Sequence, residues 1–339
     1  MKSRNFLNRL QGAFLQMLPA LVLVFSLLIT FIVSINQRQT SYDVLNREFQ
    51  TRSQDIFDRF RNRLNDYGQV LRGGAGLFAS NKVGRDEWHR YVNVLNIDQN
   101  LPGIQGLGFS LAIKPEEKAA HIDNIRREGF PSYIINPDGQ RELYTSIIYL
   151  EPFFGRNLRA FGYDMYSEPV RRAAMSAACD ENRIALSGKV KLVQETETDV
   201  QAGFLMYLPV YKNNGSYDTV KERWENLLGW VYAPFRMNDF MKNLVEKGFS
   251  LNQYYLDIII FDGSSINKNS VMYHYDKDID PIIEGGRLPL LMFKQIITFG
   301  GHSWTVVIHS PYVFDTEYFD NKAVLIEIFG GLITNLRVG

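Results

Sequence analysis

The sequence has almost no cysteine, since Cys179 is the only one in 339 residues. A single cysteine excludes an intrachain disulfide and a CxxC metal site. The apolar core must therefore hold the fold together. Because no intrachain disulfide can form, the cysteine content does not indicate whether the protein lies in an oxidising compartment.

An excess of either charge is also missing, because Lys plus Arg and Asp plus Glu both number 37. This balance argues against a basic nucleic-acid-binding protein and against an acidic disordered chain. Hydrophobic residues make up 45% of the sequence and aromatic residues 13%. Such values are typical of a folded chain. Because the charges are balanced, we expect no nucleic-acid partner.

Motifs for catalysis and cofactor binding are absent from the sequence. The five histidines form no HExxH or other close ligand pair, and neither a Gly-x-Ser-x-Gly elbow nor a Walker motif occurs. The run Ser187-Gly-Lys189 is similar to the end of a P-loop, but Arg183 stands where that loop requires its first glycine. We therefore expect no enzyme, no metal and no cofactor in this chain.

A long run without charge lies near the N-terminus, between Arg9 and Arg38. It is longer than the roughly 20 apolar residues that cross a bilayer as a helix, and it predicts a transmembrane helix at residues 15–36. A cleaved signal peptide is the rival interpretation. The apolar region is too long for one, and Ser34-Ile35-Asn36 is a poor cleavage site, so an uncleaved anchor is favoured.

The charges that flank this run indicate its orientation. Lys2, Arg4 and Arg9 precede the run, whereas only Arg38 follows it closely. By the positive-inside rule, residues 1–14 form a cytoplasmic N-terminus. We therefore expect residues 37–320 on the periplasmic or extracellular side of a cell (inner) membrane.

A helical stripe of apolar residues follows the predicted span. Its members recur at steps of three, four and seven, which predicts a long stalk helix over residues 37–80 that packs on the domain or on the stalk of a second copy. A glycine run at Gly73–Gly76 indicates the end of that helix. The stripe comprises Leu45, Phe49, Ile56, Phe60, Leu64, Tyr67 and Leu71.

Short strands and helices alternate after the stalk, which predicts an α+β fold with two mixed α/β modules at residues 81–235 and 236–312. Ser167 is expected as the N-cap of a helix that begins near Pro169. The predicted strands are 106–113, 132–135, 145–150, 204–211, 228–235, 256–261, 271–274, 293–299 and 304–309, and the predicted helices are 114–128, 169–180 and 237–248.

The last residues are apolar again. The segment 323–334 carries Glu327 as its single charge, and we expect residues 320–339 to be the start of a second transmembrane helix that is cut short. An ordinary C-terminal helix packed on the domain is the alternative.

Several motifs of this chain resemble those of the CHASE domain family, whose members are extracytoplasmic sensor domains of plant cytokinin receptors and of many bacterial sensor kinases and cyclases. The resemblance covers about residues 40–310. The matching motifs are 72–80, 101–109, 161–175, 185–189, 192–195, 203–212 and 228–231.

The resemblance implies two PAS-like modules, the membrane-distal one being residues 81–235 and the membrane-proximal one residues 236–312. It also implies that a small extracytoplasmic ligand is sensed, and that the signal passes to a cytoplasmic output domain absent from this chain. The expected partners are this ligand of unknown identity, the lipid membrane and a second copy joined through the stalk helix. A tethered binding protein without an output domain and an anchored extracytoplasmic enzyme remain alternatives.

The resemblance also singles out candidate ligand-binding residues. In the cytokinin receptors, the aspartate at the motif position of Asp164 accepts hydrogen bonds from the adenine edge; the alternative for Asp164 is a cap on the turn before Ser167. Leu186 and Thr196 stand at the family's spacing for an apolar wall and a polar contact, and Gly229 where a small residue leaves room. Tyr207 is a candidate aromatic wall, although strand alternation could turn it outward. Plain packing is an open alternative for these positions.

The stretch 194–199 is more acidic than the plant pattern. That difference puts cytokinin in doubt and allows a cationic or polar ligand.

Overall fold

The computed structural model describes residues 2–80, 83–197, 199–246, 256–275, 281–284, 286 and 288–311. The chain separates into two compact units, residues 1–54 and residues 55–339. The first unit consists of the beginning of helix α1 (Lys2–Ser80). The second unit contains the remainder of α1 and every other described element.

The apolar run of the sequence forms part of helix α1. Its most apolar window has a mean hydropathy of 2.7, and none of that window is buried. Phe25, for example, is 66% exposed. Among the described residues, α1 is the one helix long and apolar enough to cross a membrane. The second span, predicted at 320–339, lies outside the described residues.

The first sheet is antiparallel and has five strands in the order β2-β1-β5-β4-β3. Long paired stretches join β4 to β5 and β1 to β2, with one bulge in each pair. Its strands are β1 (Leu107–Ile113), β2 (Tyr144–Glu151), β3 (Ala185–Leu186), β4 (Gly203–Tyr211) and β5 (Leu227–Arg236).

Helix α1 covers one face of this sheet from residue 55 onward. The Tyr67 ring lies 5.0 Å from that of Phe235, and the Phe78 ring stacks on Phe109 at 4.1 Å. The predicted stripe from Ile56 to Leu71 is buried in this contact. The predicted helix end at the glycine run is wrong, because α1 continues through it to Ser80.

The glycine run serves close packing instead. A Cβ at Gly74 would lie 3.2 Å from Val231 of β5 and 3.3 Å from Trp88. The helix can approach the sheet and its neighbour at this point because the side chain is missing.

The remaining described helices are short. Helix α5 covers the opposite face of the first sheet, where Trp230 donates a hydrogen bond to the Met175 carbonyl at 3.0 Å. The helices are α2 (Arg85–Leu95), α3 (Ile97–Asn100), α4 (Lys118–Arg127), α5 (Pro169–Glu181), α6 (Val220–Glu225), α7 (Met237–Glu246) and α8 (Pro281–Glu284).

The second sheet is also antiparallel, in the order β7-β6-β9-β8. Trp304 joins it to the rest of the second unit, since its ring lies 5.8 Å from Phe60 of α1 and 4.8 Å from Phe204 of β4. Its strands are β6 (Asp257–Asp262), β7 (Val271–His274), β8 (Met292–Phe299) and β9 (His302–His309). The α+β class and the long N-terminal helix are thus confirmed, and the structure adds that both sheets are antiparallel.

Two further local predictions are wrong. Residues 132–135 form no strand: the Tyr133 amide donates to the Phe130 carbonyl in a turn, and the bridge to the loop at 162–164 is made by the next residue, Asn136. The N-cap of α5 is Glu168, whose carboxylate accepts from the amides of Val170 and Arg171. A glutamate can cap here because Pro169 leaves no competing amide at the first position.

Candidate functional site

Asp164 lies at the start of a short 3₁₀ helix, Met165–Ser167, and its side chain is fully buried. Its Oδ1 accepts two hydrogen bonds from Thr145 of β2, one from the backbone amide at 3.0 Å and one from the hydroxyl at 2.8 Å. The Thr145 hydroxyl also accepts from the Tyr166 amide. The carboxylate therefore ties the motif loop to the sheet.

The second oxygen of Asp164 has a different environment. Oδ2 is buried and accepts no hydrogen bond from the described residues, although Arg141 Nε lies 3.4 Å away. Burial raises the pKa of Asp164, and the Thr145 hydrogen bonds offset part of that effect. One acceptor atom of the carboxylate thus remains for a further donor.

Two tyrosines lie on the α5 side of the sheet, opposite each other on β4 and β5. Tyr207 pairs with Tyr232 in the register, and their rings stack at 6.3 Å. The Tyr207 hydroxyl contacts only the Met165 sulfur, at 3.6 Å, and the Tyr232 hydroxyl has no partner among the described residues. Burial raises the pKa of both phenols. A buried hydroxyl without a good partner is unfavourable, so both groups are suited to a polar ligand.

Arg171 of α5 supplies a cation beside these tyrosines. Its guanidinium donates to Glu168 at 3.1 Å and to the Lys191 carbonyl at 2.8 Å, and it lies over the Tyr163 ring at 5.6 Å. We call Tyr163, Asp164, Arg171, Tyr207 and Tyr232 the tyrosine–aspartate cluster. It combines flat aromatic faces, a carboxylate oxygen and phenolic donors in a buried setting.

The sequence-predicted site residues do not all meet at this cluster. Leu186 pairs with Met206 in the register, whereas its neighbour Ala185 pairs with Tyr207. Because successive side chains of a strand face opposite sides, Leu186 lies on the α1 side and Tyr207 on the α5 side.

Gly229 of β5 lies directly against the neighbouring strand β1. A Cβ on Gly229 would collide with the Ser110 carbonyl oxygen of β1 and lie 2.9 Å from the Phe109 ring. The absent side chain thus permits the close approach of β1 and β5.

Thr196 is half-buried and lies in the loop before β4. Two carboxylates of the acidic stretch around it, Glu195 and Asp199, are paired within the chain. Buried Arg236, at the end of β5, donates to Glu195 at 2.8 Å, to Asp199 at 2.6 Å and to Asp239 at 2.8 Å. These ion pairs are distant from Gly229, because Gly229 and Arg236 lie about 23 Å apart along β5 at roughly 3.3 Å per strand residue.

The cluster also contains residues that the sequence reasoning missed, namely Arg171 and Tyr232, with Thr145 and Arg141 beside them. Tyr232 follows from strand alternation, since it stands two residues after the core residue Trp230 on the same strand. The sequence does not indicate that Thr145 and Arg141 contact Asp164. Both residues lie about 20 positions away from Asp164 along the chain, and only the fold brings them close to it.

The described residues contain no group of three or more His, Cys, Asp and Glu side chains that could hold a metal. The fold and the cluster define an α+β domain with a buried, mixed aromatic and polar site on one sheet face. The family model of the CHASE domain matches residues 81–273, which is more than half of the chain. The chain therefore belongs to the CHASE domain family, and the resemblance seen in the sequence is confirmed.

The periplasmic sensory domain of the Campylobacter jejuni chemoreceptor Tlp1 is among the solved structures that are similar to this chain. Its TM-score is 0.44 at 13% sequence identity, and the match covers 81% of this chain and 96% of that one. No curated protein matches the chain. Membership of the CHASE family supports an extracytoplasmic sensor role for this chain. The family points to a sensory domain and not to a catalytic one.

Proposed function

We propose that this chain is a membrane-anchored sensor that binds a small extracytoplasmic ligand and transmits a conformational signal to a cytoplasmic output domain. Family membership over residues 81–273 is the observation that carries the proposal. In this proposal residues 1–14 are cytoplasmic, 15–36 span the cell (inner) membrane and 37–80 form the stalk. Residues 81–235 and 236–312 form distal and proximal PAS-like modules, and 320–339 begin a second span.

The exposed apolar surface of α1 supports the anchor. Large apolar side chains from Met17 to Ile35 are mostly about half exposed or more. Leaving that much apolar area in water is unfavourable, whereas a bilayer accommodates it. A second copy of the stalk is the further partner that we propose, and the chain would then act as a homodimer.

The tyrosine–aspartate cluster supports ligand binding within the distal module. The Asp164 Oδ2 atom and the Tyr232 hydroxyl are both buried without a hydrogen bond from the described residues. A polar ligand that hydrogen-bonds to either group would satisfy a buried atom that has no hydrogen-bond partner among the described residues. Ligand binding could shift the conformational equilibrium of the sensor only if the ligand binds one of two states more tightly than the other. The ligand would contact α5 and the motif loop.

Thermal unfolding of the full chain in lipid nanodiscs tests this site against a library of purines, amino acids and amines. A ligand that binds the native state raises the melting temperature. Tyr232→Phe is the sharpest variant, since it removes a hydroxyl that has no partner among the described residues. We expect it to leave the unliganded melting temperature unchanged or slightly higher and to reduce the shift caused by the ligand.

Tyr91→Phe is the matched control, because the Tyr91 hydroxyl donates to the Val70 carbonyl away from the cluster. It should keep the full ligand shift. A ligand whose shift survives Tyr232→Phe and Asp164→Asn unchanged would contradict this site. The library's failure to raise the melting temperature at all would argue against a ligand of these three classes.

Labelling in intact cells tests the topology. Cys179 is buried and Lys221 is 85% exposed, so Lys221→Cys introduces one reactive thiol in the distal module. A membrane-impermeant maleimide should modify it without permeabilisation. Labelling only after permeabilisation would place the module in the cytoplasm and overturn the proposal.

A further inference from the structure

A second candidate site lies on the other face of the first sheet, away from the tyrosine–aspartate cluster. It is a cavity of about 380 Å³, which we call the helix-side cavity. Phe78 from the last turns of α1 forms one wall, and Phe109 of β1 and Ile148 of β2 form the others. This volume is within the range of small-molecule sites.

The lining of this cavity is mostly apolar, with the polar side chains of Lys212 and Asn213 beside each other after β4. Phe78, Phe109 and Ile148 are buried, whereas Lys212, just after β4, is exposed. The Lys212 ammonium is the one charged group among the described lining residues, and its contact is a long one, 3.5 Å to the Glu225 carbonyl. The Tyr149 hydroxyl at the wall is already engaged, because it donates to the Val83 carbonyl at 3.1 Å.

We propose that the helix-side cavity binds a small amphipathic carboxylate, with its apolar body against Phe78 and Phe109 and its carboxylate at Lys212. Burial of the apolar body provides the main attraction. A carboxylate suits the single ammonium as a charge-assisted hydrogen-bond partner. The occupant would touch α1 itself, so this site can act on the long helix independently of the tyrosine–aspartate cluster.

Fluorine NMR of the full chain in lipid nanodiscs tests this proposal, with fluorine-labelled phenylpropanoate as the probe. The matching phenylpropanol has the same apolar body without the charge, and empty nanodiscs measure partition into lipid. We expect saturable binding of the acid in excess of the empty-disc signal, and weaker binding of the alcohol. Equal binding of acid and alcohol would overturn the role of the ammonium.

Lys212→Met tests the charge without disturbing the core, since Lys212 is exposed. Loss of one solvent-exposed ammonium–carboxylate contact should weaken acid binding by about two- to fivefold and leave alcohol binding unchanged. Unchanged acid binding in this variant would contradict the proposal.

A pair of filling variants tests the location. Lys212 also borders a neighbouring cavity of about 410 Å³, at the sheet edge beside α4, whose lining includes Ala120 but not Ile148. Ile148→Trp should fill the helix-side cavity and abolish acid binding, whereas Ala120→Trp should not. The reverse pattern would overturn the assignment. If Ile148→Trp fails to fold by circular dichroism, Ile148→Phe takes its place, and retained binding in Ala120→Trp still excludes the edge cavity.

Discussion

The carboxylate of Asp164 accepts hydrogen bonds from both the amide and the hydroxyl of Thr145, at 3.0 and 2.8 Å. This pair fastens the CHASE motif loop to the beginning of β2, so Asp164 has a structural role whether or not a ligand also contacts it. Asp164→Ala alone therefore cannot distinguish ligand binding from folding. That is the reason for relying on Tyr232, whose hydroxyl has no partner among the described residues.

The stability contributed by Asp164 should depend on pH. Because burial raises its pKa in the folded state, the folded chain holds this proton more tightly than the unfolded chain. Its contribution is complete below the unfolded pKa, about 4, and is lost as pH rises through the folded pKa. We expect wild type to lose stability relative to Asp164→Asn as pH rises from about 4. Thermal unfolding by circular dichroism from acid to neutral pH checks this; a constant difference would contradict it.

Asp262 should show the opposite pH dependence. Burial raises its pKa, but hydrogen bonds from His302 at 2.6 Å and from the Lys189 amide at 2.9 Å outweigh burial and hold the pKa below its ordinary value. A depressed carboxyl pKa contributes stability above the unfolded pKa that is lost as pH falls through the folded pKa. The melting-temperature deficit of Asp262→Asn should thus be largest near neutral pH and shrink in acid. A deficit that grows in acid would show that the His302 contact has no such effect.

Removal of Arg236 should destabilise the chain strongly. Arg236→Met leaves the Glu195 carboxylate, with a side chain only 1% exposed, without its bidentate partner. Breaking a buried pair from one side reduces the free energy of unfolding by about 3–5 kcal/mol. Urea unfolding measures the loss.

Glu195→Gln added to Arg236→Met should restore part of that loss, because it removes the unpaired buried charge. Lys221→Met, which breaks the exposed pair with Glu225 at 3.8 Å, is the control and should leave the urea midpoint unchanged. A double variant no more stable than Arg236→Met would mean that charge is not the cause.

Two glycine substitutions should have opposite effects. A Cβ at Gly229 collides with the Ser110 carbonyl, so Gly229→Ala should lower the free energy of unfolding by about 1–3 kcal/mol through overpacking. A Cβ at Gly76 in α1 meets nothing within 4 Å, so Gly76→Ala should raise it by about 0.5–1 kcal/mol through helix propensity. Denaturant unfolding of both variants provides the comparison. A neutral Gly229→Ala would restore the interpretation that this glycine leaves free space.

The local elements of this fold could be predicted from the sequence because their signals are local. The apolar stripe from Ile56 to Leu71 and the alternating strands have fixed periods that depend on backbone geometry alone. The predicted strand that is absent from the structure illustrates the limit of such local signals. Residues 132–135 have strand-forming composition, but the Tyr133 amide bonds to Phe130 in a turn and no described strand pairs with the segment.

The sequence alone determined the apolar run near the N-terminus, the long helix, the α+β class and, through its ordered motifs, the CHASE resemblance. Only the tertiary structure decided which candidate residues share a face, and it separated Leu186 from Tyr207 across one sheet. It also brought Arg236 to Glu195 from 41 residues away, and so placed one carboxylate of the acidic stretch in an internal ion pair. Burial and pairing across such separations depend on the packing of distant segments, which no local pattern of residues records.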